Sequence, residues 1–123
     1  MKEDYPELHK HLQKLSARLA RDLRSPMSAF VQLNASTTAA GALDTRTKQL
    51  IALGISITAR CEGCIAYHVH DAIRAGATRQ EILETLGIAI LLGGGPALIY
   101  ACQALEALEQ FMASGVGSKS SET

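Results

Sequence analysis

Two thiols and an imidazole fall close together in the stretch Arg60-Cys61-Glu62-Gly63-Cys64-Ile65-Ala66-Tyr67-His68-Val69-His70. On a helix, positions three or four apart share a face, with Cβ atoms about 5–6 Å from one another. Cys61, Cys64 and His68 therefore form one row. The spacing lies near the Cα separation that a disulfide accepts, so Cys61 and Cys64 can close and open a bond with little movement of the backbone. One helix ends and another begins here, which turns orphan N–H donors at the new helix start towards Cys61. Helix N-termini, CxxC spacing and a nearby imidazolium bring a thiol pKa from ~8.5 down to roughly 3.5–7.5. Arg60 is the adjacent cation. Reversible dithiol chemistry is the reading these residues favour, and two others stand beside it. The cysteines can be small buried hydrophobes next to an ordinary helix histidine. Alternatively, Cys61, Cys64, His68 and His70 can offer thiolates and imidazoles to zinc. Structural zinc sites usually take ligand pairs from separate elements, whereas His70 lies about 200° around the helix from His68. No metal ligand set is assigned.

The elements that must position this row are helical. Leu8, Leu12, Leu15, Leu19 and Leu23 make the apolar stripe of a first helix, with Lys10, Lys14, Arg18 and Arg21 on its other faces. Ser25-Pro26 reads as an N-cap and first helical position, starting a second helix from Met27 to about Ala39 with Gly41 as its stop. Asp44 is the N-cap of a third helix through Leu50, Ile51, Leu53, Ile55 and Ile57. Gly54 inside it costs up to about 1 kcal/mol relative to Ala, which a close helix contact would explain. The helix carrying the cysteines ends at Ala75-Gly76. Thr78 and Glu81 make a capping box ahead of an apolar run from Ile82 to Leu92. Gly93-Gly94-Gly95-Pro96 reads as a tight turn into a last helix reaching about Met112. It lacks the preceding strand and following Lys-Ser/Thr of a phosphate-binding loop. The fold class is all-α, with about six helices in one domain over residues 1–114 and a small, polar, disordered tail over residues 115–123. Cys102 reads as a core residue, and His9 and His11 read as solvated.

Composition narrows the function classes. The 123 residues suit one domain, and an apolar share of 47% with only 4% aromatics gives an aliphatic core. Twelve basic and twelve acidic side chains balance, so no charge excess points to nucleic acid or to an anionic membrane. The N-terminus has no apolar signal segment, and the run Ile88 to Leu92 is too short to span a bilayer. A cytoplasmic protein is expected, and in a reducing compartment a CxxC pair favours catalysis, redox sensing or metal over a structural staple. A helix apolar on nearly every side has to be covered. Neighbouring subunits are expected over Ile88 to Leu92 and Leu98 to Tyr100.

From Leu43 to Ala107 the sequence resembles the carboxymuconolactone decarboxylase family, in particular its alkylhydroperoxidase AhpD-like branch. The resemblance is carried by Leu43-Asp44-x-x-Thr47-Lys48-x-Leu50-Ile51, Cys61-x-x-Cys64-x-x-x-His68, Ala75-Gly76-Ala77-Thr78-x-x-Glu81-Ile82 and Gly93-Gly94-Gly95-Pro96-Ala97. It implies an all-helical homo-oligomer, a trimer or hexamer. It also implies a hydroperoxide or other small-molecule substrate, a dithiol electron donor, and no cofactor beyond a redox-active Cys61–Cys64 disulfide. Cys64 would attack the peroxide, leaving a sulfenic acid that Cys61 resolves, and His68 would help take up a proton. The family pattern places a glutamate twelve residues before the first cysteine to relay that proton. Gln49 stands there, and an amide does not accept a proton at neutral pH. Glu62 and Glu84 are the carboxylates left to substitute. The alternatives are lactone or carboxylic acid chemistry of the decarboxylase kind with His68 as proton carrier, and a non-enzymatic oligomer with a degenerate site.

Overall fold

The computed structural model describes residues 2–117. Its regular structure is α1 (Tyr5–Asp22), α2 (Arg24–Thr38), α3 (Thr45–Thr58), α4 (Glu62–Arg74) and α5 (Arg79–Ala113), with no strand among the described residues. The all-α expectation holds. In α5 only Gly94 leaves helical geometry, at φ 68° and ψ −149°. Counting the two limbs on either side of it separately gives six helices.

Local signals set most of the boundaries. The Asp44 carboxylate accepts the Thr47 N–H at 2.8 Å to start α3. Thr78 and Glu81 exchange hydrogen bonds of 3.1 and 2.9 Å in a complete capping box at the head of α5. Gly76, at φ 98°, closes α4 in the left-handed turn that glycine adopts without steric cost. Helices α3, α4 and α5 form the packed centre, built from Leu53, Ile57, Ile65, Val69, Ile82, Leu86 and Leu108. Helix α1 lies across α4 and α5, burying Tyr5 and His9. Its start is tied down by the Tyr5 N–H on Gln110 Oε1 at 2.7 Å and by Gln110 Nε2 on the Glu3 carbonyl at 2.8 Å.

Several expectations change. Helix α2 begins at Arg24 with Leu23 as an N-cap that offers no side-chain bond, so Ser25 and Pro26 sit inside its first turn. Its end is Thr38, short of Gly41, because the Lys48 ammonium takes the orphan carbonyls of Thr37 and Ala39 at 2.9 and 2.7 Å. A Cβ on Gly54 would meet Thr85 Cγ2 at an ordinary 3.7 Å, so no close helix crossing requires that glycine. The break expected at Gly93–Pro96 is present, as a kink at Gly94 with Pro96 in the first turn of the second limb. Cys102 is exposed, because the last helix turns that side away from α3 and α4. The tail does not begin at Gly115: the Val116 N–H bonds the Phe111 carbonyl at 3.2 Å, and Val116 packs on the core. The rest of the expected tail lies outside the described residues.

Helix α5 is long and apolar enough by itself to cross a membrane, with mean hydropathy 1.8 over its best window and only 22% of that window buried. Leu91 and Leu92 are 75% and 79% exposed, and Ile88, Ile99, Ile51 and Ile55 extend the same apolar surface.

Gly94 occupies a backbone region that is essentially restricted to glycine, so Gly94→Ala should destabilise the fold by about 1–3 kcal/mol. Gly87→Ala, in the first limb with nothing within 4 Å of the added methyl, should stabilise it by roughly 0.5–1 kcal/mol. Urea unfolding of both variants at one protein concentration checks the pair. Equal effects would refute the kink.

Candidate active site

Cys61 belongs to two helices at once. Helix α3 ends through Arg60, whose φ of 58° is left-handed, and the last carbonyls are closed by Arg60 N–H to Ile57 O and Cys61 N–H to Ser56 O, both 3.1 Å. A non-glycine residue in that region costs on the order of 1–2 kcal/mol. The exposed Arg60 thus shapes the backbone of the junction. Cys61 is also the N-cap of α4, where its Sγ accepts the Cys64 N–H at 3.2 Å. A serine, threonine or aspartate usually fills that position. A sulfur that caps a helix is stabilised as an anion by the same N–H and by the helix dipole.

Cys61 and Cys64 are joined in a disulfide, with Cα atoms 5.1 Å apart, and both residues are half-buried. Helix α1 covers the turn between them. A Cβ on Gly63 would come within 2.9 Å of Leu12 Cδ1, and the Tyr5 hydroxyl donates to Glu62 Oε2 at 3.3 Å. Burial and the Glu62 carboxylate push the Tyr5 phenol well above its usual range, so Tyr5 is a neutral donor.

His68 follows one turn after Cys64 on α4, and its Nδ1 lies 2.8 Å from Gln49 Oε1 on α3. Gln49 is only 6% exposed. An amide oxygen only accepts, so this bond places a proton on Nδ1 and leaves Nε2 as the basic nitrogen. Burial pushes the His68 imidazole below its ordinary pKa, with Asp71 acting in the opposite sense. The ring is therefore a neutral base with its tautomer set from behind. Neither spare carboxylate replaces the missing glutamate in this arrangement: Glu62 accepts from Tyr5, and Glu84 accepts from Gln80 Nε2 at 3.0 Å.

A groove of about 590 Å³ between α2 and α3 reaches His68. Phe30, Leu33, Ile51 and Ile55 wall it, Lys48 stands at its edge, and neither cysteine lines it. No local signal in the sequence announced this groove, because α2 buries none of its own residues.

The four residues singled out from sequence, Cys61, Cys64, His68 and Gln49, are thus gathered at the α3–α4 contact. His70 is on the opposite side of α4. Its ring stacks on His9 with centroids 4.1 Å apart, and its Nδ1 is 2.9 Å from Asp71 Oδ1. That separates it from Cys61, Cys64 and His68 as a ligand set. His9 is 6% exposed and not solvated, edge-on to Tyr67 and Phe111, whereas His11 is exposed as expected.

The profile of the carboxymuconolactone decarboxylase family matches residues 26–107. A protein encoded in the cox locus of Paracoccus denitrificans is 39% identical over 102 residues, which is 80% of this chain and 92% of that protein. A crystal structure of a carboxymuconolactone decarboxylase family protein from Legionella pneumophila superposes with a TM-score of 0.84 at 40% identity, covering 87% of this chain and 96% of that one. A second, from Thermotoga maritima, gives 0.79 at 29% identity over 95% and 97% of the two chains, and carries a suggested part in an antioxidative response. With Cys61-x-x-Cys64 at the head of α4 and these matches over most of its length, the chain belongs to the carboxymuconolactone decarboxylase family.

Proposed function

We propose that this protein is a thiol-dependent oxidoreductase of the alkylhydroperoxidase AhpD-like kind, with a hydroperoxide as oxidant and a dithiol as reductant. The observation that carries the reading is the Cys61–Cys64 pair at a helix N-cap, one turn from an imidazole held neutral. In the reduced protein the Cys64 thiolate attacks the terminal peroxide oxygen. The O–O bond breaks, the alcohol leaves with a proton, and Cys64 carries a sulfenic acid. Cys61 then attacks that sulfur, water departs, and the disulfide forms. His68 Nε2 takes the thiol proton at the start and returns it to the leaving oxygen. Gln49 is a positioning residue that fixes the His68 tautomer without accepting the proton.

Reduction follows the leaving-group rule, in which the more acidic thiol departs faster. The Cys61 sulfur is the one that accepts a helix N–H, so on this reading the donor attacks Cys64 and Cys61 departs as thiolate. The donor's second sulfur then releases Cys64. A cytoplasmic setting supplies such donors. The uncovered apolar surface of α3 and α5 is read as a contact between copies of this chain in a trimer or hexamer.

One observation favours a second reading. The groove at His68 excludes both sulfurs, as lactone or carboxylic acid chemistry with His68 as proton carrier would have it. Turnover of such a substrate that survives alkylation of both thiols would favour it.

Peroxide consumption with a dithiol donor should vanish in Cys64→Ser, while Cys61→Ser should still oxidise once per chain and then stall. Full turnover in Cys64→Ser would sink the assignment of attacker. The imidazole of His68, followed by NMR against pH, should titrate with a midpoint below about 6.5. Its folded-state pKa is lowered, so its contribution to stability is complete above the unfolded value. That contribution is lost as pH falls through the lower folded value. Gln49→Glu should raise that midpoint and speed peroxide turnover, towards the lower end of the ~10²–10⁴-fold that general base catalysis supplies. An unchanged or slower rate would show that the proton takes another path.

A further inference from the structure

The opposite face of α4 carries a second cluster that the redox reading does not use. His9 from α1 meets His70 and Asp71 from α4, and one ligand atom from each lies within 4.8 Å of the other two. Three features set this group apart from a chance gathering of polar side chains. First, His9 is more than nine-tenths buried, and neither of its ring nitrogens makes a hydrogen bond among the described residues. Its ring nitrogens are nonetheless not sealed from solvent, so they stay open to a ligand arriving from water. Second, His70 Nδ1 and Asp71 Oδ1 are 2.9 Å apart. Two ligands on one tetrahedral cation with bonds of about 2.0–2.2 Å stand roughly 3.3–3.6 Å apart, so this pair has only to part by about half an ångström to share an ion. Third, the cluster has a shut side and an open side. Tyr67 and Phe111 pack edge-on to His9, whereas the side chains of His70 and Asp71 are 23% and 37% exposed.

We propose that His9, His70 and Asp71 form a binding site for a divalent cation of the zinc class, which ties α1 to α4 and keeps an open position towards solvent. Two imidazoles and one carboxylate are the donor set that such an ion takes at sites with a free fourth position. The stacked rings lie only 25° from parallel, so the bound state needs a rotation of the His9 ring about its Cβ–Cγ bond to aim a nitrogen at the ion. On binding, the cation displaces the proton shared between His70 and Asp71. Because Leu12, one turn after His9 on α1, rests against Gly63, the ion also fixes the helix that covers the CxxC turn. The site is distinct from Cys61, Cys64 and His68 and does not depend on the redox reading.

The test uses the full chain with Cys61 and Cys64 oxidised, so that no thiolate pair competes. After chelator treatment it is titrated with zinc sulfate alone, in calorimetry and in thermal unfolding. Binding should saturate near one ion per chain, with Tm raised by several degrees at zinc ~100-fold above Kd. His9→Phe keeps an aromatic ring in the stack and removes the ligand. His70→Gln and Asp71→Asn remove the other two at half-exposed positions, so they carry the test if His9→Phe does not fold by circular dichroism. Each should weaken zinc binding by more than the roughly 10–100-fold typical of groups behind a ligand, while His11→Gln and Cys102→Ser leave it unchanged. Absence of zinc binding to the parent protein, or uptake undiminished in the folded ligand variants, overturns the site.

Discussion

The geometry of the site depends on one residue that terminates one helix and begins the next. Cys61 gives its backbone N–H to the α3 carbonyl of Ser56, and its sulfur accepts the Cys64 N–H in the first turn of α4. Both bonds fix the same Cα. The direction of α4 relative to α3 is therefore set at the sulfur itself, and with it the approach of His68 to Gln49. Arg60 takes on the left-handed backbone that makes this corner, at a cost that a glycine would avoid. Strain held next to a reactive group persists only where the surroundings over-determine it. Here the two helix ends do so, since both would lose satisfied backbone groups if the corner relaxed.

Behind the sulfurs, a neutral pair replaces the charged one that the family pattern expects. A buried carboxylate next to an imidazole favours the imidazolium, whereas a buried amide does not, and burial alone then keeps the ring uncharged. Gln49 holds the His68 ring by an amide oxygen that only accepts. His68 in this chain is accordingly suited to receive a proton at Nε2, with no second acceptor behind it. The side-chain hydrogen bond of Gln49 among the described residues goes to His68, and none goes to a cysteine.

What was legible in the sequence follows the range of each interaction. Caps are made within four residues, so Asp44, Thr78 with Glu81, and Gly76 could be read directly, and Cys61, Cys64 and His68 were placed on one row by helix periodicity alone. Gln49 required a resemblance, since no local pattern ties it to a residue nineteen positions on. His9 was misread because the rings packed on it, Tyr67, His70 and Phe111, lie on other helices. Lys10 and His11 follow it directly along α1, and a histidine in such a polar run reads as solvated. Cys102 failed in the opposite direction: an apolar segment was taken for core, although α5 is apolar on sides that face no other part of the chain. Periodicity reports which faces differ, and a helix with no polar face leaves it nothing to report.

That same helix limits how the protein exists. Helix α5 has the mean hydropathy of a membrane span, but its two limbs meet at Gly94 and one side of each packs on the core. The side left over is continuous with Ile51 and Ile55 on α3, and between them runs a furrow of about 350 Å³ lined by Leu50, Ile88 and Leu92. A furrow between helices is shaped to receive the side-chain ridge of another helix, whereas fluid acyl chains need no preformed groove. Contiguous apolar surface of this kind on a folded chain marks an interaction site. The groove at His68 shares Ile51 and Ile55 with this surface. Anything that covered Ile51 and Ile55 would therefore also narrow the approach to the imidazole.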